Sequence, residues 1–421
     1  MPSVTDRIAT VTSIARASSK RIAPRTVVSS PATRRVGQWW QVVTPLGRVV
    51  LGVGLASWVL GWLLGWRELL VFAAACLAVV LLATLFVAGP ASIRTEIALE
   101  PARVVAGDPA AGQVTTSNRS GRRSLPCRVE VPVGAGVAVF DVGSLAPGDS
   151  TEELIVIPTE RRGVIPVGPA KSFRADPIGL LNREVSASAA RELIVHPHTI
   201  ALDPFGSGLL RDLEGLTSKD LTASDLAFHA LREYSPGDDR RYVHWRSSAK
   251  AGRLLVRQFQ ETRRSTICVV VDGRRSTYGD AEEFETALEA AGSLVMRACR
   301  DGLPSAVVAA GHAASGVVPH VLLDALSRAE MSERSPDLAA HVTRAVSRRA
   351  DISFGVLVGG SGLGPMEIRR AAARFSPDVN TIAVRVDPAG RPGIKVAGRV
   401  VIVEMSGLGD LPGLIRAEAA A

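Results

Sequence analysis

The segment Leu231–Arg264, LREYSPGDDRRYVHWRSSAKAGRLLVRQFQETRR, runs directly into the apolar stretch Ile267–Asp272, ICVVVD, and reading these two together decides the fold. Nine Lys or Arg and four Asp or Glu in the first segment are interleaved with Tyr234, Tyr242, Trp245, Leu254, Val256 and Phe259. A solvated charged tail lacks such spacing. Pro236-Gly237 marks a turn, and Asp238 or Asp239 then supplies an N-cap oxygen for a helix over about residues 240–250. Ala251-Gly252 ends it, and LLVRQFQE alternates as a half-buried strand does.

From ICVVVD onward, apolar strands alternate with amphipathic helices: AEEFETALEAAGSLVMRACR, SAVVAAG, helices near 321–330 and 338–349, ISFGVLVGG, a helix over 365–375, TIAVRVD, RVVIVEM and a last helix. Continuous apolar strands separated by helices predict a mostly parallel sheet covered on both faces. Upstream, between Ile93 and Pro197, seven short β-like runs (IRTEIALE, GQVTTSN, CRVEVPV, VAVFDV, EELIVIP, VIPVGP, RELIVHP) are broken by turn residues. That spacing predicts an antiparallel β-sandwich over about 90–200, followed by a linker and loop over 201–230.

Val49–Trp66 and Leu69–Gly89 are uninterrupted apolar runs of 18 and 21 residues separated by Arg67-Glu68. Each is long enough to cross about 30 Å of hydrocarbon as a helix. Residues 1–48 hold eight Lys or Arg against Asp6, which accounts for +7 of the net +8 and reads as a disordered basic arm. This asymmetry predicts that both ends of the helix pair, and the soluble domains after them, are cytoplasmic. The arm also predicts attraction to anionic lipid. Nucleic acid is not an expected partner, because the rest of the chain is near neutral and carries no recognisable nucleic-acid module. Cys76, Cys127, Cys268 and Cys299 form no CxxC pair, which disfavours a zinc site and fits a reducing compartment.

The 231–264 segment resembles the signature of domain-of-unknown-function family 58, with Arg232, Glu233, Tyr234, Gly237, Asp238, Asp239, Arg241, Trp245 and Gly252 at matching places. Glu160–Leu181, ERRGVIPVGPAKSFRADPIGLL, matches the family's RGxxxxGP and DPxGL features, so that the resemblance extends over about 90–360. Residues 231–421 then resemble a von Willebrand factor A-like, Rossmann-like α/β domain bearing the signature. Where that domain type carries DxSxS, the chain reads DGRRS: Asp272 and Ser276 remain, and Arg274 stands between them. A fixed positive charge there disfavours a magnesium ion at Asp272 and Ser276, and no cofactor or metal is expected. Asp272 is expected to cap the following turn or to pair with Arg274. Asp272, Arg274, Arg275 and Ser276 then form an edge suited to a protein partner. The Gly359–Gly364 loop offers amides to an anion, yet lacks the P-loop spacing. His196 and His198 flank Pro197 and read as a domain-junction turn.

The resemblance implies a bacterial membrane adaptor or scaffold without catalytic residues, whose partner is a MoxR-type AAA+ ATPase. In that reading the signature is structural, a capped helix whose ion pairs hold it against the parallel sheet. The alternative is a membrane-associated hydrolase or transferase with Asp238, Asp239, His244 and Asp272 lining one pocket.

Overall fold

The computed structural model describes residues 42–87, 93–204, 226–236, 238–261, 266–349 and 351–419. Most of the basic arm, most of the linker and Gly237 lie outside the described residues. The chain divides into two compact units, one made of residues 1–90 with 174–184 and the other of 91–173 with 185–421.

The first unit is built on helices α1 (Pro45–Leu64) and α2 (Arg67–Val87), both long and apolar enough to cross a membrane. Helix α1 starts four residues before its apolar run because Thr44 accepts the Gly47 amide and Pro45 sits at the first helical position. Gly65, at φ 70°, ends it. Trp62 is 74% exposed and Leu85 71%, unlike the buried helix pair of a soluble core. The DPxGL segment joins this unit. Buried Asp176 accepts from the amides of Ile178 and Leu181, which closes a turn over Asp176–Leu181. Thr44 donates to the carbonyls of Gly179 and Leu180, and Leu180 and Leu181 pack with Ala83 and Val87. A Cβ at Gly47 would collide with the Leu180 carbonyl, so this position needs glycine for close backbone approach.

Ten strands follow: β1 (Ile93–Leu99), β2 (Arg103–Val105), β3 (Ala110–Asn118), β4 (Cys127–Val133), β5 (Gly136–Val142), β6 (Ser150–Ile157), β7 (Gly163–Val167), β8 (Lys171–Ala175), β9 (Asn182–Ala187) and β10 (Arg191–His196). One sheet is β1-β3-β6, and the other contains β2-β10-β7-β4-β8 with β5 on β4. Strict alternation in β1 (IRTEIAL) and β3 (AAGQVTTSN) buries Ile93, Ile97 and Val114 against Val129, Val131 and Val195 of the facing sheet. β2, β8 and β9 are additional to the seven runs read from sequence, and β2 pairs parallel to β10.

The 231–264 segment does not join the large sheet. β11 (Leu226–Glu233) and β12 (Leu255–Glu261) pair antiparallel as a two-stranded sheet, and β11 begins inside the stretch read as loop. Between them lie a short 3-10 turn at Arg240–Tyr242 and helix α3 (Trp245–Ala251), closed by Gly252 at φ 66°.

The remainder is a seven-stranded sheet of β13 (Thr266–Val271), β14 (Ser305–Ala309), β15 (His312–Gly316), β16 (Ile352–Gly359), β17 (Asn380–Val386), β18 (Gly393–Ala397) and β19 (Val400–Met405). Its order is β15-β14-β13-β16-β17-β19-β18, parallel throughout except for the two edge strands β15 and β18. Both faces are covered. α4 (Ala281–Arg300), α5 (Pro319–Ser327) and α8 (Leu411–Ala419) pack on one side, and α6 (Leu338–Arg348) and α7 (Pro365–Ala372) on the other. The five parallel strands run second-first-third-fourth-fifth in chain order, so the direction of winding reverses between β13 and β16. Crevices at such reversals are where doubly wound sheets hold ligands.

Sandwich and α/β sheet meet through charge. Arg162 of the RGxxxxGP feature is buried, donates to the carbonyls of Leu326 and Ser327, pairs with Glu285 at 2.8 Å and stacks over Phe284. His196 and Arg103 both reach Asp324, at 2.7 and 2.9 Å, which gives the junction reading of His196 a concrete contact. Burial opposes ionisation of Asp324, but hydrogen bonds from Arg103 and His196 outweigh it and hold the carboxyl below its usual range.

Candidate functional site

The carboxyl ends of β13 and β16 meet at the winding reversal. All six residues of β13 are buried, so Asp272 emerges from the sheet with no exposed surface, its amide bonded to the Val358 carbonyl. A bare carboxylate in that position would cost several kcal/mol. Arg274 prevents this. Asp272 Oδ1 accepts the Arg274 amide at 2.9 Å, and the Arg274 guanidinium spans the carboxylate, with Nε 3.2 Å from each oxygen and Nη2 2.7 Å from Oδ2. Its remaining Nη1 reaches Glu367 of α7 at 3.1 Å. These hydrogen bonds raise the already high Arg274 pKa, so the cation is permanent.

This arrangement does not fit a divalent cation. Both Asp272 oxygens face a guanidinium, and Ser276 lies exposed in the 3-10 turn Arg275–Thr277. Among the described residues, no three His, Cys, Asp or Glu side chains group closely enough to hold a metal ion. Arg275 is half-buried and rests its Nη1 on the Met331 sulfur.

The Gly-rich loop after β16 does cradle an anion, and the anion belongs to the chain itself. Glu283 of α4 is 3% exposed. Its carboxylate accepts from the Ser361 amide, from the Ser361 hydroxyl at 3.2 Å and from the Gly279 amide at 2.8 Å. A Cβ on Gly360 would overlap Glu283 Oε1 and stand 2.5 Å from the Thr277 carbonyl, so only glycine lets the loop close. Tyr278, fully buried, donates to the Asp272 carbonyl at 2.7 Å, and burial raises its phenol well above the usual value. His341 of α6 is also fully buried, with Nε2 3.3 Å from Ser335 Oγ, and desolvation lowers its pKa despite nearby Asp272. Sequence reading missed Glu283, Tyr278 and His341.

The 231–264 residues are engaged separately. Arg232 spans Asp238 at 2.6 and 2.8 Å, and Asp238 also accepts the Ser235 amide, so its carboxyl lies below the usual range. Asp239 caps the 3-10 turn through the Arg241 amide, while Glu233 pairs with Arg253 at 3.2 Å on the surface. His244 Nδ1 accepts the Ser247 amide as the N-cap of α3. The Tyr234 amide bonds the Leu254 carbonyl across the hairpin. The expectation is a capped helix whose buried or semi-buried ion pairs hold it against the parallel sheet; the cap and the semi-buried Arg232–Asp238 pair are present, but Arg232–Asp238 and Glu233–Arg253 close within the hairpin, and Trp245 is 65% exposed.

Fold and edge together define a doubly wound α/β protein with a self-satisfied winding reversal, preceded by a sandwich and two apolar helices. Residues 230–404, which take in the hairpin and most of the α/β sheet, match the model of the family described as protein of unknown function DUF58. The match starts and ends later than the 90–360 expected from motifs, and leaves the RGxxxxGP and DPxGL features outside it. No curated protein matches the chain. Among solved structures it is similar to the CARDB domain of a Pyrococcus furiosus protein, at 17% identity over 24% of this chain and 91% of that one with a TM-score of 0.20. It is also similar to red sea bream transglutaminase (12% identity, 24% and 15% covered, TM-score 0.19) and to a β-glucosidase from Listeria innocua (12%, 24% and 16%, TM-score 0.18). Likenesses at these scores carry no argument about the fold or activity of this chain.

Proposed function

We propose that this chain is a membrane-anchored adaptor facing the cytosol, whose α/β sheet is a von Willebrand factor A-like domain with an ion site closed by its own arginine. The observation that carries this reading is the Asp272–Arg274–Glu367 chain of contacts, which fills the place where an ion-dependent domain of that type keeps a carboxylate open. Asp238, Asp239, His244 and Asp272 are each committed to a separate cap or ion pair, which supports a scaffold over a hydrolase or transferase. Helices α1 and α2 supply the anchor. The charge of residues 1–48 favours both helix ends in the cytoplasm, and four free cysteines agree with that side.

The partner surface in this reading is the carboxyl edge, where Ser276 next to Arg275 and Met366 next to Glu367, the acid that Arg274 reaches, are exposed. By family resemblance the partner is a MoxR-type AAA+ ATPase. The test uses the detergent-solubilised full chain to capture such an ATPase, comparing wild type with Ser276→Arg/Met366→Glu. These two exposed positions are preferable to Arg274, whose loss would disturb the fold. Recovery is expected to fall about tenfold, equivalent to roughly 1.4 kcal/mol, with unchanged melting. Equal recovery sinks the edge as docking surface, and no capture by wild type sinks the partner.

A further inference from the structure

Residues 49–421 are near neutral as a whole, yet their charge is sorted. Helices α6 and α7 turn Leu338, Val342 and Ala345, and Ile368, Ala371 and Ala372, toward the sheet. Packing of that side leaves Arg344, Arg348, Arg369 and Arg370 exposed on the other, and Arg374 is exposed in the turn that follows α7. Arg344 and Arg348 are one turn apart on α6, and Arg369 and Arg370 are adjacent on α7. Among the described residues none of these five makes an ion pair. Arginines elsewhere in the unit that bury most of their side chain are matched, Arg162 by Glu285, Arg274 by Asp272, Arg297 by Asp301 and Arg385 by Glu404, whereas exposed Arg300 and Arg334 make no ion pair among the described residues but do not cluster on a helix face. Like charges one turn apart repel and weaken a helix, so four of them on two packed helices, with Arg374 just beyond, are a standing cost without an external anion.

We propose that the outer face of α6 and α7 is a seat for anionic lipid headgroups. This rests on the membrane-anchored reading above. Exposed guanidiniums spread over two helices suit a carpet of phosphates and carboxylates, each arginine taking whichever oxygen lies opposite. A macromolecule with one acidic motif would instead call for a groove. The chain's own pair of membrane-length helices keeps such a carpet at high effective concentration.

The full chain is reconstituted into nanodiscs of phosphatidylcholine alone or with phosphatidylserine, and arginine modification by phenylglyoxal is followed by peptide mass spectrometry. Modification of Arg344, Arg348, Arg370 and Arg374 is expected to slow at least about 3-fold in the serine-containing discs and to recover in molar salt, where charges are screened beyond about 3 Å. Arg119, Arg122 and Arg123 of the sandwich serve as internal references. A variant with Arg344, Arg348, Arg370 and Arg374 changed to Glu is expected to melt like wild type and to lose the protection at Arg369. Equal rates in both discs overturn the proposal. Protection independent of lipid charge also overturns it and indicates an acidic protein or a second copy on this face. Failure of the chain to enter discs at all would overturn the anchor reading as well, which separates the two.

Discussion

Two of the Arg–Asp pairs in this molecule are forked through different edges of the guanidinium, Arg274 through Nε and Nη2 and Arg232 through Nη1 and Nη2. At the winding reversal Arg274 spans Asp272, whose side chain has no exposed surface, while in the hairpin Arg232, 40% exposed, spans Asp238. Distances are nearly identical, at 2.7 and 2.6 Å for the shortest contact. Surroundings differ. One carboxylate has exchanged all its water for a guanidinium and an amide, and the other keeps solvent within reach. Contact lists therefore rank the two pairs as equals, whereas desolvation makes the first indispensable and the second replaceable.

The largest break of that equality is Arg274→Met. It strands a buried charge at Asp272 and should cost about 3–5 kcal/mol in denaturant unfolding of the full chain. The double change Asp272→Asn/Arg274→Met should restore more than half of the loss, and a single-variant loss equal to that of the double would mean the pair is not coupled. Next is Gly360→Ala, whose methyl would push into Glu283 and the Thr277 carbonyl, at about 1–3 kcal/mol. A smaller effect follows from His341. Its imidazole binds protons less readily folded than unfolded, so stability is full above the unfolded value near 6.5 and is lost as pH falls below it. Melting curves between pH 7.5 and about 5 should show this slope, and His341→Leu should flatten it. The smallest effect is expected for Arg232→Met, where melting should stay within repeatability at moderate salt. A large loss there would show that the hairpin is held by more than its own contacts.

Much of this architecture was legible because its signals are local. ICVVVD, ISFGVLVGG and TIAVRVD are apolar without alternation, as strands buried on both faces must be, and DGRRS, set against the resembled DxSxS pattern, left Asp272 either to cap the following turn or to pair with Arg274, both of which it does. Edge strands β15 (HAASG) and β18 (GIKVA) escaped because each is partly exposed and short, and HAASG carries no β-branched residue. β11 escaped for another reason. LAFHALRE lacks the run of β-branched residues that marks a strand, and its partner LVRQFQE lies beyond a turn and a helix, so only pairing gives it form. The internal anion of the Gly-rich loop had no sequence sign, since Glu283 reads as the first turn of an amphipathic helix and its acceptor role depends on Ser361, 78 residues on. The hairpin aromatics misled in the opposite sense: Trp245 has the spacing of a core residue and stands in solvent.

Arg274 also shapes what descendants of this sequence can become. Reopening the reversal to an ion would require losing the guanidinium and supplying new oxygen donors in the same event, because a chain that has taken only the first step holds a stranded carboxylate and folds poorly. The loop across from it is barred in a similar way, since any side chain at Gly360 evicts Glu283 before an outside anion can enter. Two adjacent locks of this kind make the edge an evolutionary dead end for bound ions, and leave mutation free to explore only its rim.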